Sequence, residues 1–236
     1  MGSIYLIRHG QASFGADDYD VLSPLGIRQG ELLGAHLAQL GIQFDRCLSG
    51  DLRRQHDTGQ AALAQLRAAG QSTPDIEIDS AFNEFSADQV IRAHLPDLLA
   101  VEPEALHILR NAAQHRAEFQ RLFALIIGRW ISGEHEKDGL LSWQGFLEQV
   151  HNGLQRVLQQ AESNQRIAIF TSGGTITALL QLIIGVPASK AFELNWQIVN
   201  TSLSCLKFRG HELALASFNS HVHLQFLKTP ALITFR

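Results

Sequence analysis

Short apolar runs alternate with longer stretches of helical period along the whole chain. Ile4 to Ile7 has no polar interruption and reads as a strand buried on both faces. Phe44 to Leu48, Ile76 to Ile78 and Arg166 to Phe170 read as further strands. Between them lie amphipathic helices. One starts at Ser23-Pro24, an N-cap followed by a proline suited to the first helical position. It carries Leu32, Leu33, His36, Leu37 and Leu40 on one stripe and closes at Gly41. Ile91, Leu95, Leu98 and Leu99 mark a second helical stripe, and Arg116 to Trp130 carries a third. Trp143, Phe146, Leu147, Val150, Leu154, Val157 and Leu158 mark a fourth, and a fifth helix runs from the Gly173-Gly174 turn through Leu182. Asn200 to Phe208 and Glu212 to Phe218 predict a hairpin at the sheet edge, turning at Arg209-Gly210-His211. This order predicts one domain over residues 1–236. Its expected fold is a three-layer α/β/α sandwich with a mostly parallel sheet, and residues 86–139 form a helical insertion.

The strand ends carry the chemistry. The first strand stops on Arg8-His9-Gly10, followed by Gln11 and Ala12. Open α/β sheets bind ligands at the carboxyl ends of their strands. Arg8 there can fork onto a phosphate, and His9 can act as nucleophile or base. Gly10 allows close backbone approach and a φ that other residues avoid. The loop from Gln11 to Val21 is polar, with Gly15, Asp17, Asp18 and Asp20. The second strand runs into Arg53-Arg54 at a helix start, where backbone N–H groups favour an anion. Either arginine suits that role. The third strand leads to Phe82-Asn83-Glu84-Phe85. Burial between the two rings would raise the Glu84 pKa, and nearby arginines would lower it. The fourth strand ends in Thr171-Ser172-Gly173-Gly174, a glycine turn into a helix and again an anion site.

Together, Arg8-His9-Gly10-Gln11-Ala12, Asp51-Leu52 with Arg54 and Thr58, Phe82-Asn83-Glu84 and Gly173-Gly174-Thr175-Ile176 resemble the histidine phosphatase superfamily, also called phosphoglycerate mutase-like. The resemblance implies that His9 is phosphorylated during turnover and that Glu84 is the general acid. It implies that Arg8, Arg54, Ser172 and Gly173 bind the phosphate, with Arg53 facing elsewhere. Gln11 and His223, the latter in Asn219 to Leu224, are further candidates. The family has Ala and Gln where this chain has Gln55 and Asp57. It has a histidine where this chain has Ser172, and His221 and His223 are the only candidates to replace that imidazole. In the family, insertions equivalent to 86–139 form a lid.

The implied activity is phosphomonoester hydrolysis through a phosphohistidine, without cofactor or metal, on a small-molecule phosphomonoester. A phosphate-binding protein that has lost turnover through Ser172 is the alternative. A phosphoglycerate-type mutase fits less well, because the Asn expected shortly after the Arg-His-Gly of mutases is absent from Ser13-Phe14-Gly15.

Composition narrows the partners. The formal net charge of -4 argues against a nucleic-acid binder that neutralises phosphates. No apolar run is long enough to span a bilayer. The histidines of the insertion, His94, His107, His115 and His135, lack the two-His spacing of a metal site. Cys47 and Cys205 lie in apolar segments and read as buried thiols in a reducing compartment. Met1-Gly2-Ser3 runs straight into the first strand and leaves no room for a signal peptide, so a cytoplasmic location is expected.

Overall fold

The computed structural model describes residues 1–13, 19–111 and 114–235. Gly15, Asp17 and Asp18 of the expected loop lie outside the described residues. Six strands, β1 (Gly2–Arg8), β2 (Arg46–Ser49), β3 (Ile76–Ile78), β4 (Arg166–Thr171), β5 (Leu203–Arg209) and β6 (Glu212–Ser220), form one sheet in the order β3-β2-β4-β1-β5-β6. β3, β2, β4 and β1 pair in parallel, and β5 runs antiparallel to both β1 and β6. The parallel strands therefore deliver Arg8, Ser49 and Thr171 to the same end of the sheet.

Side-chain alternation assigns the two faces. Ile4 and Leu6 of β1 and Ile167 and Ile169 of β4 pack into one core, while Ile7, Ala168 and Phe170 pack into the other. Both faces are covered, which is why these strands read as unbroken apolar runs. Helices α1 (Pro24–Gln39) and α2 (Arg53–Ala68) cover the second face with Leu33, Leu37, Leu63 and Leu66. The first face is covered by α6 (Trp143–Gln160), α7 (Gly173–Ile184) and α8 (Ala188–Asn195). Ahead of α6 come the helices α3 (Ala87–Val101), α4 (Ala105–Arg110) and α5 (Arg116–Ser132). The sides follow from strand order. β1 to β2 and β2 to β3 step one way along the sheet, β3 to β4 steps back, and its right-handed crossover then lies on the opposite face.

The predicted start of α1 is found as read. Ser23 Oγ accepts the Gly26 N–H at 3.0 Å, with Pro24 at the first helical position. Such a cap is worth ~1 kcal/mol. Gly41 follows the helix in the left-handed region, at φ 63°. Several expectations differ in detail. β2 begins at Arg46, two residues after Phe44, and Phe44 instead packs edge-on to Tyr5. Asn200 to Ser202 precede β5 as a turn, and β6 alone forms the sheet edge of the hairpin. Helices α4, α8 and α9 (Val222–Gln225) are too short to give a helical period, and none was expected.

Leu122, Ile126, Ile127 and Trp130 of α5 are buried, at most 4% exposed. An aromatic column continues from them toward the sheet end. Phe85 lies tilted against Trp130 at 4.6 Å between centroids and edge-on to Phe146 at 5.8 Å, and Trp143 and Phe192 extend it. Among the described residues, no helix is long and apolar enough to cross a membrane.

Candidate active site

β1 ends by placing His9, which is 3% exposed, between two arginines. Its Nδ1 lies 2.7 Å from the Gly10 carbonyl oxygen. A carbonyl can only accept, so Nδ1 carries the ring proton and Nε2 keeps its lone pair. That lone pair receives the Nε–H of Arg54 at 3.3 Å. Burial and the charges of Arg54 and Arg8 hold the His9 pKa well below its ordinary value. The ring is therefore neutral at pH 7, with a nucleophilic nitrogen toward the cations.

Gly10 has a role other than the expected φ, since its backbone is not left-handed. A Cβ there would lie 2.4 Å from the Gly26 carbonyl oxygen of α1. The glycine permits that close approach. Thr58 of α2 ties the same loop down: its Oγ1 accepts the Gly10 N–H at 2.9 Å and donates to the Arg54 carbonyl at 2.6 Å.

The choice between the two adjacent arginines is visible in their surroundings. The Arg54 side chain is 8% exposed, and its Nη1 bonds Asp20 Oδ1 at 2.6 Å. Arg53 is exposed at the helix start, and its backbone N–H donates to Asp20 Oδ2 at 2.8 Å. Arg54 thus shares the space of His9. The Arg8 Nη1 donates to the Ile198 carbonyl, which anchors its guanidinium beside the α7 start.

Glu84 follows β3 through a 3-10 turn, Ser80–Phe82. Its Oε2 accepts the Gly174 N–H at 3.0 Å and its Oε1 accepts the Phe85 N–H at 3.2 Å. The competition left open by the sequence has an outcome. Burial is the largest influence, and the Glu84 pKa is raised despite Gly174, Arg54 and Arg8 pulling it down. Gly174 is needed for this contact, because a Cβ there would meet Glu84 Oε1 at 2.1 Å.

Ser172 and Gly173 start α7. Ser172 is fully buried, and its Oγ accepts from Gln55 Nε2 at 2.8 Å. A Cβ on Gly173 would meet Asn195 Oδ1 at 2.4 Å, with Arg8 Nε 3.8 Å away. Gln55, Asp20 and Asn195 were not singled out as site residues. Gln55 could have been, since the family has a small alanine at its position and a histidine at that of its partner Ser172.

The other two candidates are turned elsewhere. Gln11 Oε1 accepts from Ser23 Oγ at 2.9 Å, and its backbone N–H donates to Gln29 Oε1 at 2.8 Å, so Gln11 braces α1. His223 Nε2 is 3.0 Å from Thr201 Oγ1, and its ring stacks on His36 at 5.9 Å. It lies behind the Arg8-His9 backbone, whose carbonyls accept the Thr201 N–H. His221 Nδ1 is 2.8 Å from the Asn219 carbonyl oxygen. Thr201 and Asn219 are their hydrogen-bond partners, and neither ring bonds His9 or the α7 start among the described residues.

Burial, with His36 and His221 adding to it, pushes the His223 pKa down to about 3. The unfolded ring binds its proton near pH 6.5, so between these values the unfolded chain holds the extra proton. Stability therefore falls as the pH is lowered through that window, by roughly 2.5 kcal/mol between pH 7 and pH 4.5. Urea titrations at the two pH values check this. His223→Gln, which keeps a polar partner for Thr201, is expected to lose markedly less stability on acidification than the wild type.

Four strand ends thus converge a neutral imidazole, two guanidiniums, a carboxyl of raised pKa and a helix N-terminus. The profile of the histidine phosphatase superfamily (branch 1) matches this chain over residues 4–118 and 111–221. A 2,3-bisphosphoglycerate-dependent phosphoglycerate mutase of Sinorhizobium fredii is 26% identical over 203 residues, covering 82% of this chain and 85% of that protein. The mitochondrial serine/threonine-protein phosphatase Pgam5 of Drosophila melanogaster is 29% identical over 123 residues, 51% of this chain, and the match spans only 40% of Pgam5. In fold, the chain is similar to the phosphoserine phosphatase of Entamoeba histolytica, with a TM-score of 0.62 at 18% identity over 95% of this chain and 100% of that one. It is similar also to the phosphoglycerate mutase of Bacillus anthracis, with a TM-score of 0.63 at 17% identity over 97% of each chain. The chain belongs to the histidine phosphatase superfamily.

Proposed function

We infer that this protein hydrolyses small-molecule phosphomonoesters through a phosphohistidine on His9. The observation that carries the reading is the His9 tautomer. The Gly10 carbonyl holds the proton on Nδ1, so Nε2 faces the cations as a free base. An anionic phosphate competes for Arg54 and releases that lone pair for attack.

In the first step Nε2 bonds to phosphorus as the ester P–O bond breaks. The leaving oxygen takes the proton of Glu84, whose raised pKa keeps that proton available. In the second step the Glu84 carboxylate takes a proton from water, and the hydroxide attacks phosphorus. The P–N bond breaks, and phosphate and neutral His9 return. Arg8, Arg54 and the α7 N-terminus compensate the charge on the equatorial oxygens. The cycle needs no metal, so the assay includes a chelator.

The leaving group has room beside Arg8. A cleft of about 600 Å³ is lined there by Arg8, Gln120, Arg121, Asn195, Trp196 and Phe235. Helix α5 contributes one wall through Gln120 and Arg121, which supports a lid role for this segment. Retention of phosphoglycerate for a mutase cycle is not favoured by any contact in this cleft. Arg121, its second guanidinium, is already paired with Glu102 at 2.7 and 2.5 Å.

The test is a chelated assay with an aryl phosphate, quenched in alkali during turnover. Turnover with an alkali-stable, acid-labile phosphoprotein is the expected result. Turnover without it, or no turnover, would reject the reading.

A further inference from the structure

Gln55 follows Arg54 on α2, and the steps above make no use of it. Its side chain is fully buried. Nε2 donates to Ser172 Oγ at 2.8 Å and to the Phe82 carbonyl oxygen at 3.1 Å, while Oε1 has no partner among the described residues. The Phe82 carbonyl can only accept, so the NH₂ end of the amide must face it. A flipped amide would set two oxygens against each other. The Phe82 carbonyl is itself held, receiving Thr171 Oγ1–H at 2.6 Å.

The fixed amide fixes the serine. Ser172 Oγ uses a lone pair to receive the amide N–H, so its own proton remains to be given. No acceptor for that proton is present among the described residues, and the hydroxyl does not cap α7. Ser172 precedes Gly173, which abuts Arg8, and Gly174, which bonds Glu84. A free hydroxyl proton at this point in the turn is an unused donor at the edge of the anion site.

We propose that Gln55 is a positioning residue: its amide holds the Ser172 hydroxyl in a donor orientation, so that the pair supplies one neutral hydrogen bond to the bound phosphoryl group. The proposal rests on the hydrolase reading only for the identity of the anion. A neutral hydroxyl does not titrate near neutrality. The pair therefore supplies its hydrogen bond at every working pH, where an imidazolium would lose its proton.

Gln55→Glu is the discriminating change, because it preserves shape and reverses the bond. At pH 8 its carboxylate accepts from Ser172 and turns the hydroxyl away from the anion. At low pH the protonated carboxyl donates again. Affinity for inorganic phosphate is measured by calorimetry, and kcat/KM for an aryl phosphate is measured across pH. The proteins are wild type, Gln55→Glu, Ser172→Ala and the double variant.

At pH 8 each single variant is expected to weaken phosphate binding and kcat/KM roughly tenfold, the loss of one hydrogen bond to a charged group. The double variant is expected to be no worse than either single one. Acidification should restore Gln55→Glu and leave Ser172→Ala unrestored. Losses that multiply in the double variant, or a Gln55→Glu loss that persists at low pH, would assign Gln55 a merely structural role and overturn the proposal. If Gln55→Glu does not fold, Gln55→Met removes the donor without adding charge and reads the same coupling with Ser172→Ala. A wild type that binds phosphate with this coupling but gives no turnover would reject hydrolysis and leave the Gln55–Ser172 pair standing.

Discussion

His9→Ala lowers aryl phosphate hydrolysis by about four to six orders of magnitude and abolishes the acid-labile phosphoprotein. The size follows from what remains. Arg8, Arg54 and the α7 N-terminus still bind and polarise the phosphoryl group, but no nitrogen is left to accept it. Loss of a covalent nucleophile of this kind costs roughly 10⁴–10⁶ in kcat. The variant is expected to fold, because the loop carrying residue 9 is tied by its backbone. The Gly10 N–H is held by Thr58, and the residue 9 carbonyl accepts Asn200 Nδ2–H at 2.9 Å. Phosphate affinity, measured separately, should persist. A variant that retained turnover would remove His9 from the chemistry.

Glu84→Gln produces a different signature. The amide keeps the bulk of the carboxyl but neither gives nor takes a proton. General acid–base catalysis of this kind contributes roughly 10²–10⁴ in rate. An alkyl phosphate, whose leaving oxygen must be protonated, should lose most of that in the first step. An aryl phosphate leaves without help, so its loss falls on the second step, and phosphohistidine accumulates after a burst. Rapid-quench measurements with both substrates separate the two. The pH profile changes with them. In the wild type, activity falls on the alkaline side as Glu84 loses its proton, at a pH above the ordinary carboxyl range because burial raises its pKa. On the acid side it falls as His9 gains one, well below pH 6.5. The alkaline fall should vanish in Glu84→Gln. Equal losses on both substrates without accumulation would place the proton transfers on another residue.

The strand ends were the legible part of this chain. β1 and β4 are buried on both faces, so their apolar runs could be read directly, and the polar residues that stop them stood out. Arg8, His9, the Arg53-Arg54 pair and Glu84 stand out in this way, and the family resemblance chooses Arg54 of the pair. Short helices were not, since α4 and α8 complete too few turns to show a period. Gly10 was assigned a special φ, whereas the contact that demands it comes from Gly26 on α1, sixteen positions along the chain. Local sequence carries no trace of such an approach. Ser172 read as a simple loss, because its compensating contact is with Gln55, more than a hundred residues earlier. Hydrogen bonds between distant side chains are the information a pattern of spacing cannot hold. His223 shows the converse: its resemblance to a motif was real, but its partners, Thr201 and His36, point it into the support behind the site.

That support has a consequence for how the molecule is made. Asn200 holds the His9 carbonyl, its N–H donates to the Thr234 carbonyl, and its Oδ1 accepts from Thr234 Oγ1. Gln29, which holds the Gln11 N–H, reaches the Leu232 carbonyl and Thr234 Oγ1, each at 2.8 Å. The residues that brace the first strand end thus come about 200 positions later in the chain. A nascent chain can already hold β1, β2 and β4 in their parallel order while residue 234 is still inside the exit tunnel. In that state the loop carrying His9 lacks its brace. A chain cut before Leu232 is expected to keep its parallel strands and leave the loop carrying His9 without these hydrogen bonds.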